Sequence, residues 1–353
     1  LDGLETVVFQ RKLGSLKDKS ERIAALAEHI SRRLGESDEA IAATRRAGLL
    51  CKCDLVTEMV GEFTELQGSM GGRYAEASGE SASVSQAIAE LYLPRFAGDA
   101  LPTSRAGMAI AIADRIDTLV GIFGIGQPPS GDKDPFALRR AALGVLRIMI
   151  EGELDLDVRD LLTESRKTYE DKFTSDAPSE QLLDFMLDRL RGYFTDGGIG
   201  DAAVSPDVFV AVAVSKPSRP VDFARRVQAV QAFRQLPAAS ALAAANKRIQ
   251  NILRQVGEAP TTQISQALLS EPAERELAKR VAKVSPTVAA LLDENDYGTA
   301  LQALADLRKP VDAFFDTVRV MADDAATRDN RIALLNAIGS LFMRIADISQ
   351  LRD

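Results

Sequence analysis

The first residues to test for chemistry are the chain's one histidine, His29, and its two cysteines, Cys51 and Cys53. Histidine-dependent metal sites draw on two or more imidazoles, and acid–base relays need a positioned partner. A single His next to Arg32 and Arg33 therefore reads as a surface or packing residue. No G-x-S-x-G elbow supports a Ser-His-Asp triad. Cys51-Lys52-Cys53-Asp54 lacks both the C-x-x-C spacing and the second ligand pair of a zinc site. On a helix the two thiols would project about 200° apart, and they read as small buried hydrophobes. No metal-binding set and no catalytic residue are expected.

The segment Gly121-Ile-Phe-Gly124-Ile-Gly126-Gln-Pro-Pro-Ser-Gly131-Asp-Lys133 invites comparison with phosphate loops. Gly126-x4-Gly131 is followed by Asp132-Lys133 rather than Lys-Ser/Thr, and a helix precedes it instead of a strand. The Gly124-x-Gly126 pair lacks the third glycine of a dinucleotide fingerprint. What remains is an expected helix N-terminus at Pro135 with Lys133, Arg139 and Arg140 beside it, which suits an anion; a capped interdomain loop is an equal reading. Basic groups recur later as Arg225-Arg226, Lys247-Arg248 with Asn251 and Arg254, and Arg328 with Arg331. Lys247, Asn251 and Arg254 fall at i, i+4 and i+7 and share one helical face. Cations and an amide on one face suit a single-stranded RNA loop with splayed bases, although solvated helix faces often look the same.

The elements that must carry these groups are helical. Apolar residues make up 46% of the chain and aromatic residues 5%, with no Trp, a composition that favours helix. Ile23, Leu26, Ala27, Ile30 and Leu34 follow the i, i+3, i+4 rule within 16–34. One or two further helices are expected over 38–63, and a long Gly/Ser loop over 64–83. Ser83 with Gln86 predicts a capping box, and 103–121 is apolar all round, as a central helix would be. Asp134-Pro135 opens a helix to Glu151. Helices follow over 157–170 and 179–194, with a polar connection between them and Gly197-Gly198 closing the second. Further helices run over 221–235, 238–256, 271–292, 297–307, 311–321 and 325–351. The fold class is all-α, with segments 1–155, 156–220 and 221–353.

The chain opens Leu1-Asp2-Gly3 without Met and reads as a piece of a longer polypeptide. Two cysteines build no disulfide framework, which predicts a reducing, cytoplasmic setting. No stretch reaches the roughly 18–20 apolar residues of a membrane span. The net charge of −8 opposes a nucleic-acid partner at first sight. From Asp222 onward, however, 17 Lys and Arg face 16 Asp and Glu, leaving 26 against 35 upstream. Local patches decide binding, and the C-terminal third permits them.

Several strings resemble one family. They are Leu13-Gly-Ser-Leu-Lys-Asp-Lys-Ser-Glu-Arg-Ile23, Lys52-Cys-Asp-Leu-Val-Thr-Glu-Met59, Pro94-Arg-Phe-Ala-Gly98, Gly121-Ile-Phe-Gly-Ile-Gly through Gly131-Asp-Lys-Asp-Pro-Phe-Ala-Leu-Arg-Arg140, Lys309-Pro-Val-Asp-Ala-Phe-Phe-Asp316 and Met321-Ala-Asp-Asp324 with Arg331. Together they span the chain and resemble the C-terminal half of the bacterial glycyl-tRNA synthetase beta subunit. The resemblance implies an α2β2 ligase in which the alpha subunit uses ATP and Mg to activate glycine while the beta subunit holds tRNA(Gly). This chain would hold no cofactor. Residues 1–155 would then form a degenerate HD-type domain, with Cys53 in place of the motif's His, Asp54 at its Asp and Asp114 at the last ligand. Residues 156–220 would be a linker contacting the tRNA body, and 221–353 an anticodon-binding bundle. Lys247, Arg248, Asn251, Arg254, Arg328 and Arg331 become expected anticodon contacts; Lys133, Arg139, Arg140, Arg225 and Arg226 become expected phosphate contacts. The rival readings are an HD-type metal-dependent phosphohydrolase and a scaffold that docks the alpha subunit.

Overall fold

The computed structural model describes residues 1–169, 172–173, 179–197, 203–257 and 263–352. Among them the chain is helical apart from a short antiparallel hairpin, β1 (Val8–Gln10) with β2 (Gly14–Ser15), which the sequence reading did not anticipate. The chain divides into two compact units. The first comprises Leu1–Leu190 with Ser218–Val221, the second Arg191–Pro217 with Asp222–Asp353.

In the first unit, α1 (Leu16–Arg33) is started by Ser15, whose hydroxyl accepts from the Asp18 N–H while Asp18 reaches back, a complete capping box. Then come α2 (Asp38–Leu50), a 3-10 turn over Cys53–Val56, α3 (Glu58–Glu62), α4 (Ser69–Ala77), α5 (Ala82–Glu90), α6 (Arg105–Gly124), α7 (Leu138–Glu151), α8 (Val158–Lys167) and the larger part of α9 (Ser179–Thr195). Helix α6 is buried on nearly every side and packs against α1, α2, α5, α7 and α8, as its unbroken apolar character requires. The crossing of α1 and α2 is close: a Cβ on Gly48 would lie 2.7 Å from the Ala24 Cα. Backbone cannot yield as a side-chain tip can. Gly48→Val is therefore expected to destabilise this unit by about 1–3 kcal/mol, read as an earlier denaturation midpoint by circular dichroism.

Three local expectations are corrected here. The stretch expected as a long loop contains α4, whose Gly71 and Gly72 face α5; a Cβ on Gly72 would meet the Ser85 carbonyl at 2.7 Å. Helix α5 is capped by Ser81, which accepts from the Val84 N–H, rather than by a Ser83–Gln86 box. Helix α7 begins at Leu138, three residues after Pro135. The connection expected between 170 and 179 lies largely outside the described residues, as does Gly198.

The second unit holds α10 (Pro206–Ala213), most of α11 (Pro220–Arg234), α12 (Ala239–Val256), α13 (Pro272–Asp293), α14 (Tyr297–Ala305), α15 (Arg308–Thr317) and α16 (Ala325–Met343), closed by a 3-10 turn over Ile348–Gln350. Phe194, Phe209 and Phe223 stack mutually with centroids 5.4–6.2 Å apart. Helix α12 packs on α15, α16 and the closing turn through Leu242, Ala243, Asn246 and Ile249. That burial fixes which side of α12 meets solvent. No helix among the described residues is long and apolar enough to cross a membrane.

Candidate nucleic-acid interface and the buried ionic centre

Helix α12 turns Lys247, Arg248, Asn251 and Arg254 outward, and all four are exposed. No carboxylate within salt-bridge distance is recorded for Lys247, Arg248 or Arg254 among the described residues. Arg248 lies instead over the ring of Phe315 on α15, with its guanidinium carbon 4.2 Å from the centroid. An aromatic face attracts a guanidinium without neutralising it. The plane stays available for hydrogen bonds at its edge and stacking on its outer side. Arg225 on α11 is also exposed without a recorded ionic partner.

Two of the expected contacts are committed to other partners. Arg331 is buried at 7% exposure and its Nε is bonded to Glu274, which is wholly buried. The same guanidinium donates to the Arg319 carbonyl at 2.8 Å, tying the loop before α16 to α13. RNA cannot reach such a group without unfolding its surroundings. Arg226 is equally committed: it pairs with Asp222 at 2.8 Å, donates to the Arg344 and Ile345 carbonyls at 2.6 and 3.1 Å, and lies over the Tyr297 ring. Arg328 is half-buried and stands 3.5 Å from Asp329, whose charge offsets part of its own. Asp222 and Asp329 lie close in sequence, but Glu274, Tyr297 and the Arg344 and Ile345 carbonyls come from remote segments that one-dimensional spacing could not foresee.

The expected anion site before α7 is also altered. Asp134 accepts from the Leu138 and Arg139 N–H groups at 2.8 and 3.0 Å, placing a carboxylate where an incoming anion would sit. Arg139 donates to the Gly131 carbonyl, closing the loop on itself. Lys133 and Arg140 remain exposed, with no carboxylate partner among the described residues.

Inside the first unit, Asp114 is gripped by two ammonium groups, Lys19 at 2.9 Å and Lys52 at 2.8 Å. Lys19 also pairs with Asp117 at 2.9 Å, which binds Arg22 at 2.6 Å and accepts from the Tyr169 hydroxyl at 2.8 Å. Burial alone would raise the Asp114 pKa, yet the charges of Lys19 and Lys52 overcome it and hold the carboxyl well below the usual range. For Lys52 burial works against the charge and the Asp114 carboxylate outweighs it, so the ammonium stays protonated above the usual lysine range. Asp54 is buried and turns one oxygen to the Gly68 N–H at 2.6 Å. Cys53 is half-buried, and the Cys51 thiol is pushed up to about 12 by burial. His29 sits 2.8 Å from Asp160 and serves the α1–α8 contact. No three His, Cys, Asp or Glu side chains among the described residues converge as a metal-binding set.

Among the described residues this geometry defines an all-α protein with an exposed cationic face on α12 and, in the first unit, an open cleft lined by Arg46, Cys53, Asp54, Thr57 and Tyr74. The family model described as glycyl-tRNA synthetase beta subunit matches residues 1–212, and the one described as DALR anticodon binding domain matches 242–348, from α12 to the closing turn. Its relatives include the glycine–tRNA ligase beta subunits of Aeromonas hydrophila, 53% identical over 353 residues, Pseudoalteromonas translucida, 52% over 352, and Haemophilus influenzae, 51% over 352. Each alignment covers the whole of this chain, which spans about half the length of those relatives, 50% in each case. The chain belongs to the glycyl-tRNA synthetase beta subunit family.

Proposed function

We propose that this chain is the tRNA-holding portion of a glycyl-tRNA synthetase beta subunit, corresponding to its C-terminal half. It positions tRNA(Gly) for glycylation carried out with ATP and Mg by an alpha subunit, within an α2β2 assembly in the cytoplasm. One observation carries this reading: among the described residues no carboxylate pairs with the cations on the outward face of α12, inside the very segment that resembles an anticodon-binding domain. Arg248, held over the Phe315 ring, reads a base edge or stacks on a base, while Lys247 and Arg254 neutralise flanking phosphates. Asn251 supplies both a donor and an acceptor to the same face.

Arg248→Ala is expected to weaken binding of the cognate anticodon stem-loop by about 10-fold or more, since base contacts contribute about 1–3 kcal/mol each. Fluorescence anisotropy against a stem-loop with a changed anticodon provides the comparison. A loss confined to the cognate RNA assigns base reading; equal losses for both reduce Arg248 to a phosphate contact.

The HD-type reading of residues 1–155 is retained as a proposal about ancestry, not activity. Its donor set does not suit a divalent ion: Cys53 stands where an imidazole would be needed, one Asp54 oxygen is bonded to Gly68, and Asp114 is already neutralised by Lys19 and Lys52. Phosphohydrolysis is therefore the weaker reading, and no catalytic step is assigned to this chain.

A further inference from the structure

The loop Pro94-Arg-Phe-Ala-Gly98 between α5 and α6 takes no part in the anticodon surface, yet its backbone is held by three arginines. Arg115 on α6 donates to the carbonyls of Leu91, Tyr92 and Pro94 at 3.2, 2.9 and 3.0 Å. Arg147 on α7 reaches the Asp99 carbonyl at 3.3 Å, and Arg140, also on α7, reaches the Arg95 carbonyl at 3.4 Å. Asp99 accepts from the Arg95 N–H at 2.8 Å and pairs with its guanidinium at 2.9 Å. A loop fixed this thoroughly could fold its one aromatic ring inward. Phe96 is instead 58% exposed, the Arg95 side chain beside it is 61% exposed, and Arg140 is exposed without a carboxylate partner among the described residues. The Arg95 guanidinium carbon lies 5.9 Å from the Phe96 centroid.

We propose that Phe96, with Arg95 and Arg140, forms a second RNA-binding site that takes one unpaired nucleotide, its base stacked on the ring and its phosphate between the guanidinium groups. The inference rests on the tRNA-binding reading but concerns a surface on the other compact unit. A stacked base is indifferent to sequence and needs an exposed ring on a well-anchored backbone, and the three arginines anchor the carbonyls on either side of Phe96. The exposed guanidinium groups of Arg95 and Arg140 favour a phosphodiester over an apolar protein partner. Asp99 offsets the charge of Arg95, so Arg140 carries most of the attraction to phosphate.

The chain contains no tryptophan, so Phe96→Trp introduces a sole indole reporter at the site. An end-labelled tRNA(Gly) transcript is titrated against this variant of the full chain, with label anisotropy reporting total binding and indole emission reporting the site. Emission is expected to fall by about half or more in step with anisotropy, and Phe96→Ala to weaken binding about 5-fold or more. Both variants should keep the parent's denaturation midpoint, because the ring is exposed. Anisotropy that rises while emission stays constant, with Phe96→Ala binding as the parent does, overturns the site and leaves the anticodon reading intact. No anisotropy change with any form overturns both. Quenching by purified alpha subunit in the absence of RNA overturns the site in favour of a protein contact.

Discussion

Asp114→Ala is expected to lower the unfolding free energy of the first unit by about 3–5 kcal/mol, because it leaves two ammonium groups buried with one carboxylate removed. Chemical denaturation followed by circular dichroism measures the loss. Joint replacement of Asp114 by Leu and Lys52 by Met should cost less than Asp114→Ala alone, since a buried pair can be exchanged for apolar packing while a half-pair cannot. A joint variant as unstable as the single one would mean that steric fit, not charge, dominates the centre. The pH dependence follows from the same groups. Asp114 and Asp117 both titrate below their ordinary range in the folded chain. Their contribution is therefore complete above the ordinary carboxylate pKa and is lost as pH falls through the folded-state values. Lys52, held above its ordinary range, contributes fully below the ordinary lysine pKa, and that share is lost as pH rises through its folded-state value. Midpoints should thus be steepest in acid, and the Asp114→Leu, Lys52→Met chain should show a flatter profile.

Arg331→Ala has an effect of similar size in the second unit. It strands the wholly buried Glu274 and frees the Arg319 carbonyl, with an expected loss of about 3–5 kcal/mol. Arg331→Met with Glu274→Leu should recover most of that loss. The contrast with Arg248→Ala is the informative part: Arg248 is exposed, and its replacement should leave the denaturation midpoint nearly unchanged while reducing RNA affinity. An Arg331→Ala chain that unfolds like the parent yet binds RNA poorly would return Arg331 to the interface.

Periodicity located the long helices well. Helices α1, α6, α12 and α13 lie within a few residues of where their apolar spacing put them, because each buries a continuous stripe or, for α6, its whole circumference. Errors arose where a residue's local preference was overruled by what it touches. Gly71 and Gly72 suggested loop but serve the tight approach of α4 to α5. Pro135 suggested a first helical position, yet the Asp134 side chain satisfies the N–H groups of Leu138 and Arg139 and the helix starts later. Helix α10 was too short to announce itself. The α12 face was legible since i, i+4, i+7 spacing is a property of one helix. The fates of Arg226 and Arg331 were not, because Asp222 could be seen nearby but Tyr297, the Arg344 carbonyl and Glu274 come from distant sequence. Phe96 escaped notice for a related reason: exposure of one ring in a loop leaves no periodic trace.

The lysines clasping Asp114 have an implication for how this unit endures in a living cell. A divalent ion at such a place is on loan; it can be outcompeted, chelated or withheld during scarcity. Lys19 and Lys52 are tethered covalently to the very polypeptide they brace. The positive charge there arrives with translation itself, and the groups that brace this centre cannot dissociate from it.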